Sequence, residues 1–223
     1  MQTQKPNEIW KDPQDSLFEF HLKEHLYFYD RIQIPSVTQL LQEFGLLDLS
    51  KVPDDRLEHK RIIGVFTHLA CAYYDLGRLD ENTVDPAIAP FLLAYIKFKQ
   101  VTKFKANFIE LRMRSKKYRF AGTLDRQGEF KGPRDIIDLK CTYDMYPSTG
   151  PQIAGYDVLF NENHGAKATG RFGLLLKETQ NFEVFEFQDP KDYNDILSCN
   201  YLHHRKDKIY GTGNGQRIDA VEE

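Results

Sequence analysis

The sequence predicts a mixed α/β (α+β) fold: a central mixed β-sheet flanked by helices, with an N-terminal hairpin and further helices added to it. Three observations lead there. Apolar residues recur at helical spacing through most of residues 36–105. From Asn107 the pattern changes to alternation and keeps it through three segments ending near Cys141. Helix, hairpin and helix signals then follow one another to residue 208. With 223 residues, 41% hydrophobic and 28% charged, the chain has the composition of a folded protein and the length for a substantial core. It shows no internal repeat and no linker, so residues 1–208 are expected to form one domain. Residues 1–35 would be its arm and hairpin, and the glycine-rich, acidic 209–223 a flexible tail.

Residues 1–24 are polar apart from Trp10 and a few others, and read as a short arm against the body. His25 to Ile34 reads as a hairpin: Leu26 and Phe28 alternate with Tyr27 and Tyr29, Asp30-Arg31 turns, and Ile32 and Ile34 return. Pro35 stops the strand. Ser36-Val37-Thr38-Gln39 is a capping-box pattern, in which the hydroxyl accepts from an early helix N–H and Gln39 reaches back. That helix carries Val37, Leu40, Leu41 and Phe44 on one face and stops at Gly45. A second helix is expected over Asp55–Leu76, with Ile62, Phe66, Leu69, Tyr73 and Leu76 as its apolar stripe. His68 lies beside that stripe, and Gly64, one turn earlier, leaves open space over the helix surface. After a break at Asn82–Pro86, a third helix runs from Pro86 to Lys105 with Ile88, Leu92, Tyr95 and Ile96 facing inward. The lysines of its second half suit a helix C-terminus.

Strands are expected at Asn107–Met113, Lys117–Asp125 and Arg134–Cys141, with Arg126-Gln127-Gly128-Glu129 as the linker that reverses the chain. Glu110, an acid in mid-strand, needs solvent or a partner. After a loop rich in turn formers, a helix over Pro151–Phe160 puts Gln152 and Tyr156 on one face. A hairpin of Gly170–Lys177 and Phe182–Gln188 follows, then a helix from Pro190 to Lys208 with a basic end.

The net charge of −3 argues against a wholly basic nucleic-acid coat, though not against a basic groove. Positive charge is clustered at Lys97, Lys99, Lys103 and Lys105, at Arg112, Arg114, Lys116, Lys117 and Arg119, and from His203 to Lys208; each cluster is either a solvated face or part of such a groove. Cys71, Cys141 and Cys199 form no Cys-x-x-Cys pair, which excludes a zinc knuckle or a cysteine-held iron–sulfur cluster and fits a reducing compartment. No apolar run approaches the ~20 residues that span a bilayer. The first fifteen residues lack the basic and apolar parts of a signal peptide. Cytoplasm is the expected location.

The chemistry concentrates in Ala121–Lys140. If the two strands there pair antiparallel, Asp125 stands beside Asp138, while Ile137 and Leu139 point away from Asp138 and Lys140. Adjacent carboxylates repel unless a cation neutralises them, and hard oxygen ligands suit magnesium or manganese. Lys140 can then hold or polarise a water beside that metal. The acid-x-lysine pattern by itself is common, and Glu58-His59-Lys60, Glu129-Phe130-Lys131 and Asp189-Pro190-Lys191 also match it. Surface charge is the alternative at Asp138 and Lys140, and ordinary capping at Ser36 and Thr38.

Taken in order, Gly122-x-x-Asp125, Asp138-Leu139-Lys140 and Gln152-x-x-x-Tyr156 resemble the PD-(D/E)XK nuclease superfamily, in its RecB-like and phage exonuclease branch. Gly64-Val65-Phe66-Thr67-His68, Glu110, the His25-Leu26-Tyr27 hairpin and Pro35-Ser36-Val37-Thr38 extend the resemblance over about residues 24–160. It implies a restriction-endonuclease-like core and a DNA exonuclease in recombination, repair or replication of a phage or mobile element. A recombination or single-strand-binding protein would be a fitting partner. Asp125 and Asp138 would bind Mg2+, with Mn2+ able to substitute, helped by the Leu139 carbonyl and His68. Lys140 would position or deprotonate the attacking water, and Glu110 would hold a second metal or a metal-bound water. Gln152 would contact DNA or steady the lysine, with Tyr156 packing beside it or stacking on the strand. Ser36 and Thr38 would meet a phosphate. Family members often carry Thr directly after the lysine; here Cys141 precedes Thr142. A non-cutting recombination accessory protein and a structure-specific endonuclease are the other readings, and polarity, strand preference and oligomeric state stay open.

Overall fold

The computed structural model describes residues 9–48 and 54–210. The chain opens with four short strands, β1 (Ile9–Lys11), β2 (Phe18–His21), β3 (Leu26–Tyr29) and β4 (Ile32–Ile34), hydrogen-bonded in that order as an antiparallel meander. The expected hairpin is therefore half of a larger sheet, and the expected arm supplies the other half. Asp30 and Arg31 close the β3–β4 turn with φ of 48° and 65°, the left-handed pair that a two-residue hairpin loop requires. Phe18, Phe20 and Tyr27 fill one face of the meander, with Phe20 and Tyr27 ring centroids 4.8 Å apart. The sheet is tied to the rest of the molecule by Ala121 N–H donating to the Pro35 carbonyl at 2.9 Å and by the Tyr27–Thr123 hydroxyl pair at 2.7 Å.

The central sheet holds β5 (Lys105–Arg114), β6 (Ala121–Glu129), β7 (Asp135–Lys140), β8 (Arg171–Leu176) and β9 (Phe182–Glu186), in that spatial order. Only the β7–β8 pair is parallel, and the connection it needs runs through α4 (Thr149–His164). This is the mixed sheet that the alternation pattern predicts. Its boundaries differ in one important place. Arg126–Glu129 is not a linker; β6 runs straight through it, and the chain reverses at 130–134 instead. The Asp135 carboxylate shapes that turn by accepting from the N–H groups of Lys131 (2.8 Å) and Gly132 (2.6 Å).

Helices cover both faces. α1 (Val37–Glu43), α4 and α5 (Lys191–Tyr210) pack with Leu124 and Ile136 on one side. On the other, α2 (Asp54–Asp75) and α3 (Ala89–Thr102) bury Cys71, Leu92, Tyr95 and Phe98 against Ile137, Leu139 and Leu174. Ile136 thus faces one core and Ile137 and Leu139 the other, as strand periodicity dictates. Both halves of the capping box form, with Gln39 N–H on Ser36 Oγ at 3.1 Å and Ser36 N–H on Gln39 Oε1 at 2.9 Å. Helix α5 reaches Tyr210; of the tail expected to be flexible, residues 211–223 lie outside the described residues.

The apolar stripe expected on α2 is the largest departure. Ile62, Phe66, Leu69, Tyr73 and Leu76 are 41–52% exposed, and the helix turns Thr67, Ala70, Cys71 and Asp75 inward instead. Among the described residues, no helix is long and apolar enough to cross a membrane.

Candidate active site

A cleft of about 490 Å3 lies between the N-terminal sheet, the N-terminal end of α1, α2, strands β5–β7 and α4. His68, Glu110, Asp125, Asp138, Lys140, Gln152, Tyr156, Ser36 and Thr38 all line it. A larger hollow of about 900 Å3 lies elsewhere, against Arg114–Arg119, where Arg114 is already paired with Asp15.

The strand register explains how distant acids meet. β6 and β7 pair Arg126 with Ile137 and Gln127 with Ile136, so the next step along brings Asp125 to Asp138. β5 and β6 pair Ile109 with Arg126 and Leu111 with Leu124, which leaves Glu110 across from Asp125. Glu110 has φ of 50°. That left-handed conformation in a non-glycine residue costs about 1–3 kcal/mol. Gly122 serves the packing of α4 on the strand. It lies within β6, where an added Cβ would stand 2.9 Å from Tyr156 Cε1, so its lack of a side chain lets the tyrosine ring lie against the strand.

His68, Glu110 and Asp125 place ligand atoms within 4.8 Å of one another. Asp125 Oδ2 accepts from the Leu139 N–H at 2.7 Å, while Oδ1 faces His68 Nδ1 at 3.4 Å. Glu110 Oε1 lies 3.9 Å from the same nitrogen and accepts from Arg126 at 2.9 Å. His68 Nε2 is 3.1 Å from the Leu139 carbonyl, so the carbonyl expected among the ligands is here a partner of the histidine. Burial alone would push the His68 imidazole down, but Asp125, Glu110 and Asp138 outweigh it and raise it to about 9. At neutral pH a protonated imidazole therefore balances the acids.

Asp138 is 2% exposed, and its Oδ2 is ion-paired with the Lys140 ammonium at 2.6 Å. Burial, helped by Asp125 and opposed by Lys140, raises its carboxyl above the ordinary range. Glu110 is raised too, by burial and by Asp125. Asp125 would also be raised by burial, yet His68, Lys140 and the Leu139 amide hold it below. Burial works against the Lys140 ammonium, but Asp138 and Asp125 keep its proton on. Three carboxyls thus share one small volume with the charges of His68, Lys140 and Arg126, and two of the three are held above the ordinary range. Hard oxygen donors with one imidazole fit a divalent ion such as magnesium.

Lys140 donates to Gln152 Oε1 at 2.9 Å, and Gln152 donates in turn to the Tyr156 hydroxyl at 3.0 Å. Of the roles open to these residues, steadying the lysine is the geometry found for Gln152. Packing is the one found for Tyr156, which at 6% exposure has no face free for a base. The Ser36 hydroxyl accepts from Gln39 N–H in the capping box, and Ser36 and Thr38 both lie on the cleft wall. Of the basic cluster at the end of α3, none of Lys97, Lys99 or Lys103 lines the cleft: Lys99 pairs with Asp75, and Lys97 donates to Asn181.

Sequence reasoning missed Arg126 and Asp75, while Arg112, named in a basic cluster, does line the cleft. Arg126 falls in the stretch read from the sequence as a linker, so its need for a buried counter-ion did not show there. In the structure it is fully buried and meets Asp75 at 2.6 Å and Glu110 at 2.9 Å.

No protein-family model matches the sequence, and no curated protein does. Among solved structures, one named "Putative exonuclease", from Eubacterium rectale, superposes with a TM-score of 0.46 at 10% identity, over 86% of this chain and 80% of that one.

Proposed function

We propose that this chain is a magnesium-dependent deoxyribonuclease that hydrolyses phosphodiester bonds at DNA ends. The supporting observation is the convergence, in one cleft, of the His68–Glu110–Asp125 cluster with Asp138 and a lysine held by Gln152. Asp125, Asp138, Glu110 and neutral His68 would hold Mg2+, or Mn2+ in its place. When bound, the ion would supply Lewis-acid stabilisation of the charge that develops on the phosphoryl oxygens. The protein side of the reaction falls to Lys140. Its ammonium is fixed from one side by Asp138 and from the other by Gln152, so Nζ–H points at a defined spot where an attacking water can be oriented. Tyr156 keeps Gln152 in place through its hydroxyl. A role in recombination, repair or replication of a mobile element follows from the sequence resemblance.

The test is digestion of 5′- and 3′-labelled single- and double-stranded DNA and of a closed circle, with magnesium or with EDTA. Loss of label from linear DNA with magnesium only, and an intact circle, is the expected result. Cutting of the circle would make the activity endonucleolytic. Lys140→Ala should fold and bind DNA while losing cleavage by a factor of about 10^2 or more; wild-type cleavage by that variant would remove the lysine from the mechanism.

A further inference from the structure

Beside its acids the cleft carries an arginine. Arg112 lies on β5 two residues beyond Glu110 and lines the same cleft. Its guanidinium is 5.2 Å from the Trp10 ring centroid and 4.8 Å from that of Phe20. Its Nε is buried and has no hydrogen-bond partner. Arg114, Arg126 and Arg171 each meet a carboxylate, on Asp15, Asp75 and Asp192. Among the described residues Arg112 meets none. A part-buried guanidinium without a counter-ion is unfavourable unless something else completes it. Aromatic contacts stabilise the cation yet leave the N–H fork unused, and that fork matches the geometry of a phosphate.

We infer that Arg112 is a phosphate clamp, taking the strand phosphate next to the one that is cut, with the N-terminal sheet supplying the two rings that hold it ready. The inference rests on the nuclease function proposed above. Two residues along a strand span about 7 Å, on the scale of one nucleotide step, so a strand threaded past the Glu110–Asp125 cluster brings its neighbouring phosphate to Arg112. This assigns a task to β1 and β2: Trp10 and Phe20 come from those strands, outside the central sheet.

Arg112→Gln and Arg112→Lys, each checked for a wild-type thermal melt, are titrated with a fluorescein-labelled oligonucleotide in EDTA over a salt series. Arg112→Gln should bind about ten- to hundredfold more weakly and lower the salt slope by about one contact. Arg112→Lys should keep the slope and lose part of the affinity, because it keeps the charge without the fork. A methylphosphonate placed at one position at a time should reproduce the loss at a single phosphate in the wild type and add nothing in Arg112→Gln. Equal affinity and slope in wild type and Arg112→Gln, with wild-type cleavage intact, would overturn the clamp alone. If Arg112→Gln fails to fold, the lack of any single methylphosphonate position that weakens wild-type binding more than its neighbours has the same consequence. A wild-type protein that neither binds nor cuts would overturn the nuclease function itself.

Discussion

Asp75→Asn should be among the most destabilising single substitutions in this molecule, although Asp75 never touches the cleft. Its side chain is 1% exposed and accepts from Arg126 Nε at 2.6 Å, from the Tyr95 hydroxyl at 2.6 Å and from Lys99. Arg126, fully buried, has a second carboxylate in Glu110, and its NH2 group already lacks a partner. Replacing the aspartate by its amide keeps the shape and removes the charge, leaving a buried guanidinium that shares one carboxylate with the site. Breaking such a pair on one side costs about 3–5 kcal/mol. For a chain of this length each kcal/mol lowers Tm by about 2–4 °C, so the expected drop is roughly 6–20 °C. Thermal and urea melts of the single variants and of Asp75→Leu with Arg126→Met decide the matter. The double variant should recover much of the loss, since apolar residues need no counter-ion. A loss below about 1 kcal/mol, or a double variant equal to the sum of the singles, would refute the network.

Gly122→Ala should cost about 1–3 kcal/mol by overpacking and cut activity further, because the added Cβ meets Tyr156 Cε1 at 2.9 Å and Leu159 Cδ1 at 3.2 Å; wild-type melting and turnover would show that the ring yields freely. Glu110→Gly should be more stable than Glu110→Ala by about 1 kcal/mol, the reverse of the usual order in a strand, because φ at this position is 50°; an Ala variant as stable as the Gly variant would mean the conformation carries no strain. Magnesium uptake should release protons at pH 7 and strengthen as pH rises towards about 9, because His68 is protonated below that value and must be neutral to ligate. The metal-free protein shows the complementary trend. A histidine raised from 6.5 to about 9 contributes stability that is complete below 6.5 and lost as pH climbs through 9. Calorimetry in two buffers of different ionisation heat, and melts from pH 6 to 10, check both signs.

What the sequence made legible was local. The Asp30-Arg31 turn, the capping box at Ser36 and the alternation of Ile136, Ile137 and Leu139 depend on neighbours within a few positions, and each formed as expected. The meeting of Asp125 and Asp138 was legible for the same reason, since one antiparallel return sets it. Arg126–Glu129 was not, because a polar run looks like a turn until its partners are known. Those of Arg126 stand 51 and 16 residues away, on Asp75 and Glu110. β1 and β2 are no shorter than β4 and β3, which were legible; they are joined through residues 12–17, with no two-residue turn like Asp30-Arg31 to mark them.

Helix α2 shows why hydrophobic pattern misled where it did. By apolar content alone the helix should bury Ile62, Phe66, Leu69, Tyr73 and Leu76, each worth about 1.5–3 kcal/mol when fully buried. The opposite side carries Thr67, His68, Cys71 and Asp75, also at helical spacing, and that side faces the sheet. Rotating the stripe inward would take Asp75 from Arg126 and His68 from Asp125 and the Leu139 carbonyl. Arg126 would then be buried beside one strained glutamate, and three carboxyls would face one another without the imidazole. Each orphaned buried charge costs several kcal/mol, so two or three of them match the whole gain from the stripe. The helix is oriented by its charges, and those charges are the ones that build the cleft; the exposed apolar face of α2 is the consequence of placing His68 there.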